Sequence, residues 1–216
     1  MTLQEEYIVP LSPDNAAVLF IDNQTSLMLG TQSTDTTLLR TNTEGLAKLA
    51  AIYDLPVVLT TTGGGAHGPS GGLITPITET FPDAPIIDRQ EYLNAMSDKR
   101  FADAVRVTGR KKLILSGLTT DFCLVYPPAS LIAEGYHVFI VVDASGSWTK
   151  EINDAALQRL IQMGATPTNV QSIAGELQNS AAVSDLAASK KKHPQLFEWL
   201  GRYTPAPSLI GMNMPH

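Results

Sequence analysis

Apolar residues in this chain fall into short unbroken runs separated by longer stretches with helical spacing. Ala16 to Ile21 is continuously apolar and ends at Asp22. A run of that kind suits a strand buried on both faces. Leu38 to Tyr53 repeats Leu38, Leu39, Leu46, Leu49 and Ala50 at helical spacing, which predicts a helix. Pro56 opens a second strand, Val57 to Leu59, followed by three threonines. Residues 63–72, GGGAHGPSGG, read as a loop, because so many glycines hold no regular element. Thr75 to Phe81 predicts a short helix, and Ile86-Ile87 a brief strand running into Asp88-Arg89. Asp98 is placed to cap a helix that runs to about Val107 and ends at Gly109.

The pattern then repeats. Leu113 to Leu115 predicts a strand, closed by Ser116-Gly117 and the polar turn Thr119-Thr120-Asp121. A helical pattern carrying Cys123 in its first turn follows, with Pro127-Pro128 expected to kink or break it. Val138 to Val142 is the next strand, and Thr149 to Met163 a helix ended by Gly164. Asn169 to Ser172 reads as a weak last strand. Strands alternating with helices imply an α/β fold with a mostly parallel, doubly wound sheet between two helical layers. Residues 1–175 form the domain. Residues 176–216 form a helical and Pro-rich tail that packs on the core or on a neighbouring subunit. Its apolar and aromatic content favours the neighbour.

Composition narrows the function classes. A formal charge of −6 leaves no basic footprint for nucleic acid. No uncharged apolar run approaches a membrane span, and no basic-then-apolar leader precedes the first strand. One cysteine forms no internal disulfide, which fits a reducing, cytoplasmic setting.

Ligands of open parallel sheets bind beyond the carboxyl ends of the strands. Asp22, Arg89 and Cys123 all fall at such ends. A cysteine nucleophile needs a base, which a carboxylate with a pKa raised by burial can supply. A nearby cation stabilises both anions. At a helix start, the thiol would also face unpaired N–H groups that favour thiolate. Each residue has a plainer reading: Cys123 as a small core side chain, Asp22 as a turn residue or cap, Arg89 as a surface ion pair. Gln24 and Asn94 are amides placed to face the cleft, where they would position substrate or satisfy backbone groups. His67, in the Gly-rich loop, is the one histidine placed to line a pocket. It has no acidic neighbour there, so no metal and no cofactor is expected, since zinc takes about three protein ligands.

Asp22 in VLFIDNQ, the R-x-x-x-x-N-A segment from Arg89 to Ala95, and the G-x-x-T-D-x-C segment from Gly117 to Cys123 carry a family likeness. With LILSGLTTDFC followed by GYHVFIVVDASGS, they resemble the isochorismatase-like cysteine hydrolase superfamily, most closely its YcaC-like branch, over roughly residues 14–175. The resemblance implies a three-layer α/β/α fold and an Asp–Lys–Cys triad. Asp22 and Cys123 match the aspartate and the nucleophile. Arg89 stands where the family has lysine, so a fixed charge is retained and a proton shuttle is not. The resemblance also implies a non-proline cis peptide, here Leu118–Thr119, and an oxyanion hole from the N–H groups of Thr119 and Cys123. The implied activity is hydrolysis of a small-molecule carbon–nitrogen bond through a thioester. Hydration of a nitrile or isonitrile, and a non-catalytic redox sensor, are the alternatives. The isochorismate vinyl ether is disfavoured, because its cleavage uses no cysteine nucleophile. The branch implies a homo-oligomer larger than a dimer.

Overall fold

The computed structural model describes residues 9–178 and 194–203. Six strands form one sheet: β1 Ala16–Ile21, β2 Val57–Thr62, β3 Ile86–Arg89, β4 Lys112–Gly117, β5 His137–Val141 and β6 Thr166–Thr168. Their order is β3-β2-β1-β4-β5-β6, and every pairing is parallel. Winding therefore reverses between β1 and β4, and open parallel sheets bind ligands at the carboxyl edge of such a reversal.

β1 shows how its sequence builds two cores. Ala16, Val18 and Phe20 face one apolar cluster, and Ala17, Leu19 and Ile21 the other. Successive side chains on a strand point to opposite faces, so an unbroken apolar run must be covered on both. Helices α1 Thr25–Gly30, α2 Thr36–Ile52, α3 Thr75–Thr80, α7 Val170–Gln178 and α8 Pro194–Tyr203 cover the first face. Helices α4 Lys99–Val107, α5 Pro127–Ala133 and α6 Lys150–Gln162 cover the second. This is the three-layer α/β/α fold. Caps fix several helix starts: Asp35 accepts the N–H of Leu38 at 2.9 Å, and Asp98 accepts that of Arg100 at 2.9 Å. α4 ends at Gly109, whose φ of +65° suits glycine.

Three expectations change, and one helix is new. The helix expected to carry Cys123 starts later: residues 120–126 form turns, and Pro127-Pro128 occupy the first positions of α5. The prolines open a helix rather than break one, because a first-turn N–H has no helical partner to lose. The strand expected at Asn169–Ser172 is the start of α7, where Asn169 Oδ1 accepts the Ser172 N–H at 2.8 Å. Val170, Ile173, Ala174 and Leu177 are its buried stripe, and the edge strand is the preceding Thr166-Pro167-Thr168. α1 was not anticipated from the sequence. α7 also runs through residue 175, so the boundary expected there falls inside a helix whose Leu177 is fully buried.

The tail helix takes the first of its two expected placements, although its composition favoured the other. α8 packs on its own subunit: Leu196 and Trp199 are buried against α2. The Trp199 indole donates to the Gly45 carbonyl at 2.7 Å, and the Tyr203 hydroxyl to Glu44 Oε1 at 2.9 Å. Leu186, Lys190 to Lys192 and the Pro-rich end from Pro205 lie outside the described residues. Among the described residues no helix is long and apolar enough to cross a membrane.

Candidate active site

Asp22 follows the last residue of β1 with a φ of +56°, a left-handed conformation that Asp tolerates better than most residues. Its N–H donates to the Thr60 carbonyl at 3.1 Å, holding it against β2. Arg89 is the last residue of β3 and is fully buried, so the surface ion-pair reading does not hold. One end of its guanidinium pairs with Asp22 Oδ2, and neither side chain reaches solvent. Asp22 Oδ1 takes no N–H or O–H donor among the described residues.

Cys123 is reached from β4. Gly117, the last residue of that strand, lies so close to β1 that a Cβ there would sit 2.8 Å from the Ile21 carbonyl oxygen. Only glycine allows the two strand ends to close up at this point. The Leu118–Thr119 peptide is cis. The Thr119 carbonyl then accepts N–H groups of Phe122 at 3.2 Å and Leu124 at 3.1 Å, while the Thr120 N–H reaches Gly146 at 2.8 Å. This turn sets Cys123 beside Asp22, with the residue only 4% exposed.

The electrostatics differ from those of a helix-start thiolate. Burial pushes the Cys123 thiol well above its ordinary value, and the Asp22 charge beside it pushes it further. Burial also raises the Asp22 carboxyl, opposed in part by Arg89 and by the neighbouring Cys123 thiol. The nearby Thr119 backbone N–H works the other way on the thiol, more weakly. Burial of the thiol and the Asp22 charge both favour the proton on sulfur, and the guanidinium partner opposes the effect of burial on the Asp22 carboxylate. Asp22, Arg89, Thr119 and Cys123 are thus brought together.

The other expected site residues are placed differently. Gln24 is fully buried, and its amide is engaged by backbone: Nε2 donates to Thr62 and Gly71 carbonyls at 3.1 and 2.5 Å, and Oε1 accepts the Thr62 N–H at 2.9 Å. It clamps the Gly-rich loop to β2. Asn94 accepts the Met96 N–H at 3.0 Å and donates to Ser130 Oγ at 2.9 Å, joining a short 3₁₀ turn to α5. His67 is exposed in the loop. Among the described residues no group of three His, Cys, Asp or Glu side chains could hold a metal.

Two features were not found from the sequence. Asn23 Nδ2 donates to Ser116 Oγ at 3.0 Å, and Ser116 Oγ donates to the Ala144 carbonyl at 2.6 Å. These bonds tie the ends of β1, β4 and β5 together beside the Asp22–Arg89 pair. Thr60 is the second: its hydroxyl accepts the Arg89 Nε–H at 2.9 Å. A threonine run at a strand end was the available signal, but nothing in it says which hydroxyl faces the charge.

A buried acid–guanidinium pair beside the one cysteine, at the reversal point of a parallel sheet, is a site suited to nucleophilic chemistry at sulfur. The chain belongs to the isochorismatase family: the Isochorismatase domain model matches residues 16–172. Within this superfamily of hydrolases it falls in the YcaC-like branch. It is 38% identical over 157 residues to the probable hydrolase YcaC of Escherichia coli, covering 73% of this chain and 74% of that protein. It is similar to the structure of Pseudomonas aeruginosa YcaC with hexane-2,5-diol and covalent acrylamide, at a TM-score of 0.84 and 34% identity over 94% of this chain and 96% of that one. The structure of Escherichia coli YcaC, described as an octameric hydrolase of unknown specificity, matches with a TM-score of 0.77 and 34% identity, covering 90% and 96%.

Proposed function

We propose that the protein hydrolyses a carbon–nitrogen bond of a small amide-like molecule through a thioester on Cys123. The observation that carries this reading is the Asp22 carboxylate. One oxygen is engaged by Arg89, the other is buried with no hydrogen-bond partner among the described residues, and the Cys123 thiol lies beside the carboxylate. Asp22 takes the thiol proton as sulfur attacks the carbonyl carbon. The N–H groups of Thr119 and Cys123 hold the developing oxyanion; neither donates to a backbone carbonyl among the described residues. Asp22 then gives its proton to the departing amine, and water cleaves the thioester to regenerate the thiol. The Arg89 guanidinium supplies a fixed charge that opposes the effect of burial on the Asp22 carboxylate. The covalent acrylamide in the Pseudomonas aeruginosa relative supports a site that admits a small amide-bearing electrophile.

The test is ammonia or amine release from a panel of small amides. Release by the wild type and none by Cys123→Ala is expected, and equal release by both would contradict the reading. The octameric relative supports a homo-oligomer larger than a dimer. Light scattering tests that, and a mass near 23.2 kDa would refute it.

A further inference from the structure

We infer that Thr60, with the carbonyls of Tyr92 and Leu93, forms a socket shaped for a guanidinium, making Thr60 a positioning residue that holds Arg89 on Asp22 and makes arginine obligatory there. This inference rests on the reading of Asp22 as the base for Cys123.

Arg89 has four protein acceptors, and their arrangement is planar-fork chemistry. Nε donates to Thr60 Oγ1 at 2.9 Å. One terminal nitrogen donates to Tyr92 and Leu93 carbonyls at 3.1 and 3.2 Å, and the other to Asp22 Oδ2. An ammonium is a point charge on a flexible stem and cannot present donors in these separated directions from one buried position. With lysine in place, at least one of Thr60, Tyr92 or Leu93 would lose its partner.

Thr60 also grips both members of the pair. Its carbonyl accepts the Asp22 N–H at 3.1 Å, while its hydroxyl accepts from Arg89 and donates to the Ile87 carbonyl at 2.7 Å. The bond to Ile87 uses the hydroxyl's one proton, leaving a lone pair for Nε. Thr60 is fully buried and paired in register with Ile21 on one side and Ile87 on the other, so this orientation is built into the sheet. The charged groups facing Asp22 are Arg89 and Asp88, both from β3, and it also meets the thiol from the turn after β4. If the fork swings away, Asp22 keeps its burial and the Asp88 charge and loses the group that offsets them.

The test follows acrylamide addition to Cys123, which needs no knowledge of the substrate. Sulfur adds to the β-carbon, the thiol proton ends on the α-carbon, and intact mass rises by one acrylamide. Because the chain has one cysteine, the adduct is unambiguous. Rates are measured between about pH 5 and pH 9 for wild type, Thr60→Val, Thr60→Ser and Arg89→Lys. Thr60→Val and Arg89→Lys should both move the rising limb up by about one pH unit, so that acrylamide adds about tenfold more slowly at any pH on that limb. Thr60→Ser, which keeps the hydroxyl, should follow the wild type. A wild-type profile in either of the first two variants overturns the inference, even if the thermal midpoint has dropped. Should Thr60→Val fail to fold, Arg89→Lys alone decides. Asp22→Asn separates the two levels: addition as fast as wild type sinks Asp22 as base, whereas slow addition beside a normal Thr60→Val sinks only the socket.

Discussion

Asp22 and Arg89 form an ion pair in which neither side chain exposes any surface. Removing one partner of such a pair leaves an uncompensated buried charge, at a cost of about 3–5 kcal/mol. Arg89→Ala should therefore lose both activity and stability, and denaturant titration should show a drop of that order. An alanine variant as stable as wild type would mean that the pair contributes nothing to holding the strand ends.

The raised Asp22 pKa sets the direction of the pH response. Below it the carboxyl is protonated and cannot accept the thiol proton, so kcat/KM should climb as pH rises through a value above the ordinary 3.8. No second rise is expected near the usual thiol range, because the Cys123 thiol is pushed up and gives its proton to Asp22 rather than to water. Stability moves the opposite way. A carboxyl raised by folding binds protons more tightly in the native state, so its contribution is fully present below 3.8 and is lost as pH rises through the folded value. The stability of wild type relative to Asp22→Asn should fall across that window, and a rise would refute the assignment.

Cys123→Ala should reduce turnover by about 10⁴-fold or more, the scale on which a nucleophile's removal is felt. Cys123→Ser should leave at most a trace, since a hydroxyl is harder still to deprotonate in a buried site. Steady-state rates on any hydrolysed amide check both.

Gln24 is read as a clamp rather than a substrate contact. Gln24→Leu strips partners from the Thr62 and Gly71 backbone groups and should cost about 2–4 kcal/mol, read by denaturant unfolding. Unchanged stability with a changed preference among amides would return Gln24 to substrate binding.

The tail helix gives a separate test. Trp199→Ala should cost about 3–5 kcal/mol, because the indole is buried and bonded to Gly45. The mass read by light scattering should not change, since α8 packs on its own subunit. Dissociation by light scattering, without loss of protomer stability, would assign this helix to an interface.

Much of the sheet was legible because its signals are local. The Ala16–Ile21 run, the cap at Asp98 and the stop at Gly109 each follow from residues within a few positions, and so does the strand–turn reading around Gly117. Two misreadings share one cause. Pro127-Pro128 and Asn169 are boundary residues whose local chemistry admits either side of a helix end, and the neighbouring packing decides. The convergence of Asp22, Arg89 and Cys123 was legible as three strand ends on one sheet edge, and as a triad through the family resemblance. Their burial, the shift of the proton to sulfur and the role of Thr60 depend on β2, β3 and the Tyr92–Leu93 turn closing around one guanidinium. The own-subunit packing of α8 was equally invisible, because an apolar helix face does not name its partner.

The central claim is that Cys123 sulfur attacks after giving its proton to Asp22. Intact-mass and peptide-level mass spectrometry after brief incubation with the amide panel tests it directly. The account predicts an acyl adduct on Cys123 that decays with turnover in wild type, forms far more slowly in Asp22→Asn and is absent in Cys123→Ala. Turnover of an amide with no adduct on Cys123 at any time, or an adduct that forms as fast in Asp22→Asn as in wild type, would contradict it.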